Sequence, residues 1–161
     1  MKIRSTHIAY GFLLACLLAI APSLRAEENL KAEALLVWGT DDAQSPDTKF
    51  IAVDESLSKK LLKSPYRWKH FFVVNRQSLN IPAGGSRKGV VLSKDCSLDV
   101  AYLGEDRMEI KLIGKGKLVS THKESLAGQC VFIIGGASEN DTAWFVVIRK
   151  SATIVASSQS K

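Results

Sequence analysis

The amino-acid sequence predicts an all-β fold: an antiparallel β-sandwich or small barrel of about seven or eight strands with one short helix. Two observations carry that reading. Leu98, Val100 and Tyr102 alternate with Asp99 and Ala101, and Met108, Ile110 and Leu112 alternate with Glu109 and Lys111, so each segment presents one face to a core and the other to water. Residues 131–134 and 143–148 are apolar without alternation, as expected of strands placed centrally in the core, and Trp144 is expected to be buried there.

In chain order, residues 1–26 read as a cleavable export signal. Lys2, Arg4 and His7 form a positive start, residues 8–21 supply 14 almost wholly apolar positions, and residues 22–26 break the segment and end on the small Ala26. A membrane-spanning helix needs about 20 apolar residues, so this stretch, followed by Pro22 and Arg25, is short for an anchor. Cleavage after Ala26 leaves Leu24 three residues before the cut, and a cut after Ser23 is the alternative. Leu13-Leu14-Ala15-Cys16 loosely resembles a lipoprotein signal, but apolar residues continue past Cys16, where such a cysteine normally closes the hydrophobic stretch.

The mature chain is then one domain over residues 27–150, exported to the periplasm or envelope, with residues 151–161 as a frayed tail of small and polar residues. Residues 34–38 form the first apolar strand, and residues 41–48, with Ser45-Pro46-Asp47, form a polar loop. Residues 56–62 are the one helix: Asp54 is placed to cap it, Leu57 and Leu61 lie four apart on one face, and Pro65 stops it. Residues 66–74 return to a strand pattern rich in aromatic and β-branched side chains, and residues 84–89 read as a flexible hairpin loop. Gly104-Glu105-Asp106 and Gly114-Lys115-Gly116 are connections short enough to join antiparallel neighbours, so residues 97–124 form a three-strand meander.

Export alters the charge and the cysteine count. Lys2, Arg4 and Arg25 leave with the signal and no acid does, so the net charge falls from +6 to +3. Cys16 leaves as well, and Cys96 and Cys130 remain in a compartment where disulfides persist. A Cys96–Cys130 bridge would stabilise by a few kcal/mol. The competing reading is two separate small buried residues, since Cys130 opens an apolar run.

Leu36-Val37-Trp38-Gly39-Thr40-Asp41-Asp42, Trp68-Lys69 followed by Phe72 and Val74-Asn75-Arg76, Ser93-Lys94-Asp95-Cys96, and Ala143-Trp144-Phe145-Val146-Val147 together resemble a family of small exported bacterial proteins of unassigned activity. The resemblance spans nearly the whole mature chain. It implies one exported domain and brings no catalytic residue with it.

Catalytic equipment is not recognisable in the residues themselves. Gly84-Gly85-Ser86-Arg87-Lys88-Gly89 approaches a nucleophile-elbow spacing, but its last glycine falls one residue late and no strand-to-helix context surrounds it. Gly114-Lys115-Gly116 lacks the third glycine and following helix of a dinucleotide loop. His70, His122, Cys96 and Cys130 are zinc-type ligands without a close pair, and Asp41, Asp42 and Asp47 lack the spacing of a calcium loop, so no metal or cofactor is expected. Asn140-Asp141-Thr142 matches the glycosylation pattern and reads better as a turn.

Charge segregation is the most unusual feature of the mature chain. From Ser56 to Lys94 there are nine bases, Lys59, Lys60, Lys63, Arg67, Lys69, Arg76, Arg87, Lys88 and Lys94, and no acid; residues 95–109 then hold five acids and only Arg107. Gathered on one face, the bases would attract anionic glycans or lipid head groups, with Tyr66, Trp68 and Phe71 interleaved for stacking. The plainer reading is a solvated face, with Trp68 turned inward by strand alternation and the acidic stretch pairing with the basic one. Nucleic acid is the least fitting polyanion for an exported chain. The expected function is a non-enzymatic, envelope-associated binding or assembly protein whose partner is an envelope protein or polymer. A basic module for anionic surfaces is the alternative, and an unrecognised hydrolase ranks third.

Overall fold

A computed structural model describes residues 29–63, 66–127, 131–137 and 141–151. Residues 1–26, expected to be an export signal and containing Cys16, together with Pro65, Cys130, Asn140 and the tail beyond Ser151, lie outside the described residues. Ser151 itself donates its N–H to the Lys31 carbonyl at 3.1 Å.

The elements are β1 (Leu30–Thr40), β2 (Ile51–Ala52), α1 (Glu55–Lys63), β3 (His70–Ile81), β4 (Ser86–Ser93), β5 (Cys96–Gly104), β6 (Arg107–Gly114), β7 (Lys117–Ser125), β8 (Val131–Ala137) and β9 (Ala143–Lys150). They form a five-stranded sheet in the order β2-β3-β1-β9-β8 and a four-stranded sheet in the order β4-β5-β6-β7. Every strand pairing is antiparallel. Nine strands are therefore described where seven or eight were expected, and they make a sandwich of two separate sheets rather than a closed barrel. The extra strand, β2, has two residues, too few to show a period of two in sequence.

Side-chain alternation explains why β1 lies at the centre. Leu30, Ala32, Ala34 and Leu36 pack against β4, β5 and β6 through Leu92, Leu98, Val100, Met108 and Ile110, forming the core between the sheets. Leu35 and Val37 point the other way and meet Leu57 and Leu61 of α1 together with Trp68, Phe71 and Phe145. The helix thus adds a third layer over the outer face of the five-stranded sheet. Each of the Leu, Ile, Val, Met and Phe side chains among them, fully buried, contributes about 1.5–3 kcal/mol.

Local chemistry sets the connections. Asp54 Oδ1 accepts the Leu57 N–H at 3.0 Å, capping α1 as its sequence position implied, and Glu55 sits in the first turn where the helix dipole favours an acid. The 97–124 meander is realised as β5, β6 and β7. Lys115 and Gly116 both take positive φ, at 48° and 75°, between the paired Gly114 and Lys117, which is the geometry of a two-residue type I′ turn.

Three expectations are corrected. Residues 84–89 are not one loop: Gly84 turns the chain, while Arg87 lies in β4 ahead of a bulge at which Gly89 (φ 64°) donates its N–H to Asp99 Oδ1. Of the two non-alternating segments, β9 is interior, flanked by β1 and β8, but β8 is the edge of the five-stranded sheet. Trp144 is 41% exposed, because it points from β9 toward a part of the inner face that the second sheet leaves open.

Candidate functional site

That open part of the inner face is an apolar cleft of about 600 Å³. Leu36, Val74, Ile134, Trp144 and Val146 line it from the five-stranded sheet, and Cys96, Leu112 and Val119 face them from the other. Its size falls in the roughly 300–1,000 Å³ range of small-molecule sites.

Register explains the walls. Leu36 pairs with Val146, and Ile134 pairs with Val146 from the other side, so these three side chains share one face. Trp144 and Trp38 are the next cross-strand pair on that face, and Trp38 lies 6.3 Å from Phe72 between ring centroids. On the opposite wall, a register shift between Leu112 and Ile113 leaves Val119 as the extra residue of β7, and 61% of it is exposed at the cleft. Asn75 spans the sheets by donating Nδ2–H to the Leu92 carbonyl at 2.8 Å. Gly136 is the partner of Trp144, and a Cβ added there would meet nothing within 4 Å, so the missing side chain leaves the space empty. Gly135 has a different reason to be glycine: its Cβ would fall 2.3 Å from Phe145 Cδ1 on the other face.

Polar groups gather at one end of the cleft. Ser93, Lys94 and Asp95, in the β4–β5 turn, line it there, and the Asp95 carbonyl accepts the Lys115 N–H at 2.9 Å from the adjacent β6–β7 turn. Cys96 is half-buried, and burial pushes its thiol above the ordinary value, so the group is protonated at neutral pH. It is a free thiol in this structure, and its expected partner Cys130 lies outside the described residues.

The nine bases do not form one patch. Lys59, Lys60 and Lys63 lie on α1 around a shallow depression they share with Glu55, and Lys59 pairs with Glu55 one turn away. Arg67 pairs with Asp141 at 2.7 Å and lies 5.4 Å from the Trp68 ring centroid. Arg76 pairs with Glu33 at 3.5 Å, Arg87 donates to the Ser78 carbonyl at 3.0 Å, and Lys69 and Lys88 are exposed. Arg87 and Lys88 belong to the four-stranded sheet, away from the α1 layer. The plainer sequence reading of Trp68 holds: it is 8% exposed, donates its indole N–H to the Asp141 carbonyl at 2.6 Å and packs edge-on against Phe145. Its ring is core rather than a stacking platform.

Acids from residues 95–109 do not neutralise these bases either. Asp106 pairs with Lys150 at 2.7 Å, Glu109 with Lys111 and Lys123, and Glu105 with Arg107. Two carboxylates, Glu33 and Asp54, meet across the Arg149 guanidinium, each at 2.5 Å. Partial burial by itself would raise Asp54, but the Leu57 N–H and Arg149 hold it below its ordinary 3.8. This clamp joins the start of α1 to β1 and β9, so its carboxylates are engaged in holding the layers together.

Sequence reasoning missed both the cleft and the clamp. The only local signal for the cleft was the non-alternating apolar run at 131–134 followed by Gly135-Gly136, a pattern equally suited to a covered strand. Searches of protein-family models, curated proteins and solved structures give no match to this chain.

Proposed function

We propose that this is an exported, non-enzymatic binding domain of the cell envelope whose ligand seat is the cleft between the two sheets. One observation supports the reading above the others: the facing apolar walls of the two sheets are left unpacked here, with Trp144 and Val119 open to solvent beside Val146 and Leu36. Exposed, contiguous apolar surface with concave shape is a feature of binding sites. The basic-module alternative draws on Lys59, Lys60 and Lys63 of α1, while the ion pairs of Arg67 and Arg76 weaken it.

The test uses the neutral fluorescent probe N-phenyl-1-naphthylamine. Saturable enhancement is expected with the wild-type protein, and Gly136→Leu, which places a side chain in the empty space, should weaken binding by roughly tenfold or more while leaving the melting curve in place. Absence of saturable enhancement, or equal enhancement in Gly136→Leu, overturns the proposal. Export and the Cys96–Cys130 disulfide are proposals of their own. N-terminal sequencing from the isolated envelope fraction, expected to begin near Glu27, tests the first, and nonreducing peptide mapping tests the second.

A further inference from the structure

We propose that the cleft holds the alkyl chain of a free medium-chain carboxylic acid, with its carboxylate at the polar end beside Lys94 and Lys115; this rests on the cleft being a ligand seat. The lining is divided as an amphiphile is divided. Leu36, Leu112, Val119, Ile134, Trp144 and Val146 form an apolar body, whereas the polar lining residues Ser93, Lys94 and Asp95 are consecutive at the β4–β5 turn.

Charge selects the sign of the head group. The β4–β5 and β6–β7 turns lie side by side, since Gly114 is the Cα partner of Cys96 and the Lys115 N–H bonds to the Asp95 carbonyl. Together they carry Lys94, Lys115 and Lys117 against the single carboxylate Asp95, and all four residues are exposed. Among the described residues none of these three lysines is held in an ion pair, in contrast to Arg67, Arg76, Arg149 and Lys150. An anion at this end meets an unneutralised positive field, and a cation is repelled. A volume of about 600 Å³ accommodates one alkyl chain of medium length and not the two chains of a membrane lipid, which points to a monomeric acid.

The experiment titrates the purified protein with octanoate, decanoate and dodecanoate below their micelle concentrations, using decanol and decyltrimethylammonium as controls. Affinity should rise about fourfold per added CH₂ until the cleft is full. Decanoate should bind more tightly than decanol at low salt, with the advantage shrinking as salt screens the exposed lysines. The double variant Lys94→Glu/Lys115→Glu should remove that advantage and favour decyltrimethylammonium, while decanol binding and the melting temperature stay unchanged. Equal affinity for decanoate and decanol overturns the anionic head group and leaves the cleft as an apolar seat. Binding to anionic phosphatidylglycerol vesicles without binding to any monomeric alkanoate overturns the proposal in favour of a surface-binding module. Failure of decanoate, decanol and N-phenyl-1-naphthylamine alike removes both this proposal and the reading it rests on.

Discussion

Phe145 and Trp144 are consecutive aromatic residues on one interior strand, yet Phe145 is 1% exposed and Trp144 41%. Phe145 points to the outer face, where Tyr66, Trp68 and Phe71 surround it with ring centroids 4.6, 5.7 and 5.8 Å away and α1 closes the layer. Trp144 points to the inner face, at the end where β7 and β8 leave the sandwich open. The difference shows that burial of an apolar strand residue is decided by what the opposing layer places over it, not by the residue or its strand. On the outer face a nine-residue helix and the segment around Trp68 suffice as cover. On the inner face the four-stranded sheet faces Trp144 across an open cleft instead of packing on it.

The largest expected effect tests the sealed side. Phe145→Ala should cost about 3–5 kcal/mol in urea melts, as a buried aromatic truncation does, and Trp144→Ala should cost far less. Equal losses would mean that the inner face is covered after all. Next in size is the glycine pair. Gly135→Ala drives a Cβ into the Phe145 ring and should destabilise by about 1–3 kcal/mol, whereas Gly136→Ala, which meets open space, should stay within about 0.5 kcal/mol of wild type.

Asp54→Ala comes third, at about 1–2 kcal/mol at neutral pH, because it removes both the cap of α1 and one arm of the Arg149 clamp. Because the folded carboxyl titrates below 3.8, its contribution is complete above that value and is lost as pH falls through the depressed one. The gap between wild type and Asp54→Ala should therefore close under acid, and melts at neutral and strongly acidic pH measure it. The smallest effect lies at the mouth of the open side. Lys115→Asn installs the Asn-Gly pair preferred at two successive positive φ angles and should raise stability by about 0.5 kcal/mol, read as a small upward shift in Tm.

The sequence by itself determined the elements whose causes are local. Asp54, Leu57 and Leu61 specify a capped, one-sided helix, and the alternation through Leu98–Tyr102 and Met108–Leu112 with glycine turns between specifies the β5-β6-β7 meander, because caps, turns and two-residue periods act over a few neighbouring positions. Tertiary structure alone decided the rest. Residues 131–134 look as apolar as residues 143–148, but strand order in the sheet puts β8 at an edge and β9 in the interior, between β1 and β8. The Glu33–Arg149–Asp54 clamp joins residues far apart in the chain, and the nine bases are distributed by which layer each element joins. The cleft exists because the two sheets do not pack against each other along the whole of their inner faces, a gap that depends on non-local pairing and leaves no periodic trace along the chain.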